Sequence, residues 1–125
     1  MKLHLSQAAG INGITAYGED YVQVNLTRYG QSLIVLPDAV HDWPVPAVDC
    51  LTADHFASLA ALQPEMVLLG TGRRQRFPAP ALYAGLLAAG IGLEVMDTGA
   101  ACRTFNILAA EGRRIAAALI VAPAA

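Results

Sequence analysis

The sequence predicts an α/β layered protein with a central, largely parallel sheet and an N-terminal antiparallel β-hairpin. Three observations carry that prediction. The chain is unusually apolar, 55% hydrophobic and 14% charged, against averages near roughly 45–50% and about 25%. Before residue 50 apolar and polar residues alternate and turn residues are frequent. Beyond it, helical periods alternate with short continuous apolar runs, as in crossovers between parallel strands covered on both faces.

The elements follow in order. "INGITAY" and "YVQVNL" flank the turn segment "GED". Val22, Val24 and Leu26 share one face and Gln23 and Asn25 the other, so the pair reads as a hairpin. "QSLIVLP" supplies a third strand, which Pro37 stops. The prolines of "HDWPVPAVD" forbid a helix and favour an extended, exposed segment. Within it Trp43 is either a surface anchor for a partner or a lid over the core. Thr52 is placed to cap a helix running to about Leu62, with Asp54 in the first turn and Phe56, Leu59 and Ala60 facing inward.

"EMVLLG" is too short for a good helix and reads as a buried strand. A helix begins near Pro80, a favoured first position, and ends at Gly90, with Leu82, Leu86 and Ala89 on one stripe. "GLEVMD" is the next strand, and Thr98 the cap of the next helix. In that helix Ala101, Phe105 and Leu108 lie on one face and Arg103, Asn106 and Ala110 on the other, and Gly112 closes it. "RIAAALIV" is the last strand, apolar throughout and interior. The 125 residues are read as one domain, 1–125.

The chain holds eight basic residues, and three of them fall in "LLGTGRRQRF". Ligands in open α/β sheets gather beyond the carboxyl ends of strands. The loops "GTGRRQRFP" and "MDTGAACR" both lie at that edge, and the strands before them are linked by a single helix. Gly70 and Gly72 allow a sharp turn and close approach, and Thr71 adds a hydroxyl. Gly99, after Thr98, leaves helix-start N–H groups uncovered, a setting that binds anions. Arg73, Arg74 and Arg76 add planar donors for a carboxylate or phosphate, and Arg103 lies close enough to join them. Asp97 is read as a general base or, preferably, an arginine partner.

Other readings stand beside the anion site. The arginines suit a solvated loop, since two such charges ~7 Å apart in water repel by only about 0.6 kcal/mol. They also suit a contact with a partner protein, or internal pairing with Asp97 or Glu94. The phosphate-loop and dinucleotide patterns both fail, the first for want of its lysine and the second because Gln75 stands in the third glycine position.

Other chemistries are not expected. Cys50 and Cys102 form no metal or redox spacing and both read as structural, Cys102 pointing into the core beside Ala101 and Phe105. His4, His41 and His55 lie on distant segments, so no metal site is expected. Net charge is −2, no basic face accompanies the loop and aromatics are few, so nucleic acid is not an expected partner. No window is long enough to span a membrane. Without a signal or transit pattern, the expected compartment is the cytoplasm.

"LLGTGRRQRFP" and "GIGLEVMDTGAACRTFNILAAEGRR" together resemble the Mth938-like family, also known as DUF498, across roughly residues 10 to 121. The shared positions run from Gly70, Thr71, Gly72, Arg73 and Arg76 through Asp97, Thr98, Ala101, Cys102 and Thr104 to Asn106. The resemblance implies a three-layer fold whose central mixed sheet has one strand antiparallel to the rest. It supplies no catalytic residues and no cofactor. Because the family includes mitochondrial complex I assembly factor 3, it implies an assembly-type role. The expected function is therefore a non-enzymatic binding or assembly protein acting through the Gly-Thr-Gly-Arg loop on an unidentified protein partner, with a homodimer left open. The alternative is a small-anion binding protein or enzyme with its site between Gly72 and Thr98.

Overall fold

In a computed structural model, residues 10–122 are described. The first half forms a small antiparallel sheet of β1 (Ile14–Tyr17), β2 (Val22–Val24) and β3 (Thr27–Tyr29). A separate five-stranded sheet contains β4 (Leu33–Leu36), β5 (Ala39–Asp42), β6 (Met66–Gly70), β7 (Gly92–Met96) and β8 (Ile115–Leu119), in the order β5-β4-β8-β6-β7. The β8-β6-β7 pairings are parallel, while β4 pairs antiparallel with both β5 and β8. So β4 alone runs against the rest, which is the mixed sheet the resemblance implies.

The helices are α1 (Ala53–Ala61), α2 (Pro80–Ala88) and α3 (Thr98–Ala110). Strand alternation sends side chains into two separate cores. Ile34, Leu36, Val67 and Leu69 meet Phe56, Leu59 and Leu86 of α1 and α2 on one face. Leu33, Val35 and Leu68 meet Ala101, Cys102 and Phe105 of α3, together with Ile14 and Val22 of the small sheet, on the other. Each large side chain buried in this way contributes about 1.5–3 kcal/mol. Central β8 is buried at every position, with alanines at 116, 117 and 118 giving the layers above and below a small-residue surface to pack on.

Several expectations hold in detail. The α1 cap is Thr52, whose Oγ1 accepts from the His55 N–H, while His55 Nδ1 accepts from the Thr52 N–H at 3.0 Å. His55 is thus a capping residue. Pro80 opens α2 and the last strand is interior.

Others need correction. Two strands were unforeseen. β3 continues the hairpin, and β5 folds back on β4 through the two residues Pro37 and Asp38. "HDWPVP" is exposed only in part, with His41, Asp42, Pro44 and Pro46 exposed but Trp43 and Val45 buried. The Trp43 ring meets His55 edge-on at 6.2 Å, so it covers the core and is no surface anchor. Ala60 is only half-buried and Ala89 lies exposed. Tyr83 packs against the core beside Leu82 and Leu86 instead. Cys50, at the end of the 3-10 turn Val48–Cys50, is exposed. His4 lies outside the described residues.

Candidate functional site

The two suspected loops meet. The Thr98 N–H donates to the Gly72 carbonyl at 2.9 Å, and Thr98 Oγ1 accepts from the Gly72 N–H at 2.8 Å. The same hydroxyl donates to the Ile120 carbonyl at 2.7 Å. Thr98 therefore rivets the ends of β6, β8 and the α3 entrance together. The helix cap is Asp97, whose Oδ1 accepts from the Ala100 N–H at 2.8 Å. This corrects two expectations at once. Thr98 is the first helical residue, and the helix start is not left uncovered, because the Asp97 carboxylate sits on it.

Gly70 is held by close packing. A Cβ there would lie 2.9 Å from Thr98 Cα, 3.0 Å from Thr98 Oγ1 and 3.1 Å from Leu119 Cδ2. At Gly99 a Cβ would meet the Tyr17 ring at 2.7 Å. Gly72 takes a φ of +94°, which carries the chain out of the strand. Thr71 is buried, and its hydroxyl donates to the Arg74 carbonyl and accepts from the Arg76 N–H at 3.1 Å. Its hydroxyl is spent closing the loop. Gln75 reaches back to the Val95 carbonyl at 2.9 Å, on edge strand β7.

At this junction lies a cleft of about 380 Å³. Gly72, Arg73, Asp97, Thr98, Gly99 and Arg103 line it, and its opposite wall is Tyr17, Gly18 and Glu19 from the β1–β2 turn. Of the expected site residues, Arg74 and Arg76 stand outside it, and Gly70 and Thr71 are used in holding the loop. The arginines do pair internally, but with neither Asp97 nor Glu94. Arg73 reaches Glu19 at 3.1 Å and Arg76 reaches Asp49 at 2.6 Å, both pairs largely exposed. Arg103 donates to the Tyr17 hydroxyl, with its guanidinium 5.8 Å from that ring's centre. Beyond the cleft the loop leaves Phe77 71% exposed.

The missed wall is anchored by Asn106. Its Oδ1 accepts from the Ile14 N–H at 2.9 Å and its Nδ2 donates to the Ile14 carbonyl at 2.8 Å. The carboxamide thus pairs the free edge of β1 and ties the small sheet to α3. The segment "GED" reads as a turn in the sequence, but nothing local says that it folds over the distant α3 entrance. Cys102 is fully buried, and burial pushes its thiol up to about 12. It is core, as expected. Among the described residues no group of His, Cys, Asp or Glu is arranged to hold a metal ion, and no helix is long and apolar enough to cross a membrane.

The family model described as a protein of unknown function, DUF498/DUF598, matches residues 14–120. The chain belongs to this family. It is similar to the human NADH dehydrogenase (ubiquinone) 1 alpha subcomplex assembly factor 3, with 38% identity over 120 residues, 94% of this chain and 65% of that protein. The chain thus spans less than two-thirds of the length of that relative, and 61% of the bovine one. Among solved structures, a Bordetella parapertussis protein is 44% identical with a TM-score of 0.86, over 92% of this chain and 99% of that one. A Bordetella pertussis protein described as a Mth938-like domain is 38% identical with a TM-score of 0.83, over 98% and 94%. The DUF498 chain therefore shares the Mth938-like fold, and its relatives include proteins named for an assembly role.

Proposed function

We propose that this member of the family is a non-enzymatic, cytoplasmic assembly-type protein that holds a protein partner through the loop following β6. The observation that carries the reading is the loop's composition and mounting. Arg73, Arg74, Arg76 and Phe77 are all exposed, while Thr71, Gly72 and Gln75 fasten the loop to Met96, Thr98 and Val95. Arginine and aromatic side chains dominate the energetics of protein contacts, and a rigid mount lowers the ordering cost of binding. Arg74 makes no ion pair among the described residues, so its charge is available to a partner. The relatives named as NADH dehydrogenase assembly factors support an assembly-type role, and subunits of respiratory complex I are the first partners to test.

The test is the double substitution Arg76→Ala with Phe77→Ala. Exposed changes of this kind usually cost within about 0.5 kcal/mol of stability, so the fold survives. Cross-linking in cells followed by mass spectrometry reads the partner. The expected result is loss of specific cross-links to the assembling subunits. Full retention of those cross-links would remove the loop as the contact.

A further inference from the structure

We propose that the cleft between the β1–β2 turn and the α3 entrance receives a carboxylate of an acidic peptide segment, clamped between Arg73 and Arg103. The proposal rests on the partner-binding reading above and deepens it by naming what the partner offers. The cleft already shows the chemistry. Glu19 on the turn places a carboxylate on Arg73 at 3.1 Å. Both side chains of that pair are mostly exposed, 65% and 72%, and pairs of this kind contribute little. Glu19 is thus a resident occupant that an incoming carboxylate can displace.

Arg103 supplies the second arm. Its contact is a neutral phenol, the Tyr17 hydroxyl, and among the described residues it has no carboxylate partner. A guanidinium carries five N–H donors in a fixed fork, so most of its donors are free for a bidentate acid. The cleft's volume of about 380 Å³ falls within the usual range of binding clefts, about 300–1,000 Å³. Asp97 lines the same cleft and repels a doubly charged phosphate more than a singly charged carboxylate. The helix start adds no further pull, because that carboxylate already caps it.

The experiment is an amide-shift titration of isotopically labelled protein at low salt. The probes are a capped Gly-Glu-Glu-Gly peptide, its Gln-Gln counterpart, citrate and inorganic phosphate. The expected result is saturable movement of Gly72, Gly99 and the Arg103 side-chain N–H with the Glu peptide and none with the Gln peptide. Arg103→Ala is expected to weaken binding at least about five-fold, and Glu19→Gln to tighten it about two- to five-fold by removing the competitor. Unchanged spectra with the Glu peptide, or an affinity indifferent to Arg103→Ala or to Glu19→Gln, would overturn the proposal. Saturable binding of citrate or phosphate without the peptide would overturn the peptide source in favour of a free anion. The loop reading is tested at Arg76 and Phe77, which do not line the cleft. Cross-links lost there with no peptide bound would sink the cleft proposal alone.

Discussion

Replacing Asn106 by alanine tests the clamp that joins the two halves of the molecule. The carboxamide satisfies both the N–H and the carbonyl of Ile14, at 2.9 and 2.8 Å, and Ile14 is fully buried. Alanine leaves both groups without a partner at the free edge of β1. Each stranded buried group costs about 1–3 kcal/mol, so the pair is worth about 2–6 kcal/mol. That is a large share of the total of about 5–15 kcal/mol typical of such proteins. The chain has one tryptophan, Trp43, and it is buried, so urea unfolding followed by its fluorescence reads the loss directly. The midpoint is expected to fall with little change in slope. Asn106→Asp keeps the acceptor but sets an oxygen against the Ile14 carbonyl, and is not expected to rescue. A loss below about 0.5 kcal/mol, the range of ordinary surface changes, would refute the assignment of Asn106 as the clamp.

Three further outcomes follow from packing and burial. Gly70→Ala drives a Cβ against the Thr98 backbone at 2.9 Å, an overpacking that costs about 1–3 kcal/mol. Gly99→Ala meets only side-chain atoms, the Tyr17 ring at 2.7 Å and Asp97 Oδ1 at 3.3 Å, where Gly70→Ala meets backbone, so differential scanning calorimetry is expected to show the larger loss for Gly70→Ala. Exposed Cys50 is expected to react with iodoacetamide in the native protein, while buried Cys102 reacts only after unfolding, as peptide mass mapping reads. Burial raises the Cys102 thiol from 9.0 to about 12. The unfolded chain therefore releases that proton first, and stability is expected to fall as pH rises from about 9 towards 12. The slope is at most about 1.4 kcal/mol per pH unit, and this component is absent in Cys102→Ala.

Sequence periodicity reached the elements that packing reinforces. The β6-α2-β7-α3-β8 order, the Thr52 cap and the buried alanine strand all follow from local pattern, because each element there is long enough for its apolar spacing to repeat. β3 and β5 are as short as β1, β2 and β4, but neither has a fully buried position, so no apolar face marks them and both are specified by the strands they pair with. Asn106 looked like a solvent-facing residue because its burial partner, Ile14, lies 92 positions away.

The candidate site divides along the same line. Local sequence determined that a glycine turn bearing arginines ends one strand and that a helix begins after the next. A parallel sheet then places both at one edge, so their nearness was a consequence of topology already written in the order of elements. Which carboxylates the arginines meet was decided only by tertiary structure. Glu19 comes from a turn more than fifty residues upstream and Asp49 from the 3-10 turn before α1. Charge pairing between distant exposed side chains leaves no periodic trace in a chain, whereas burial does, and that difference separates what was legible from what was not.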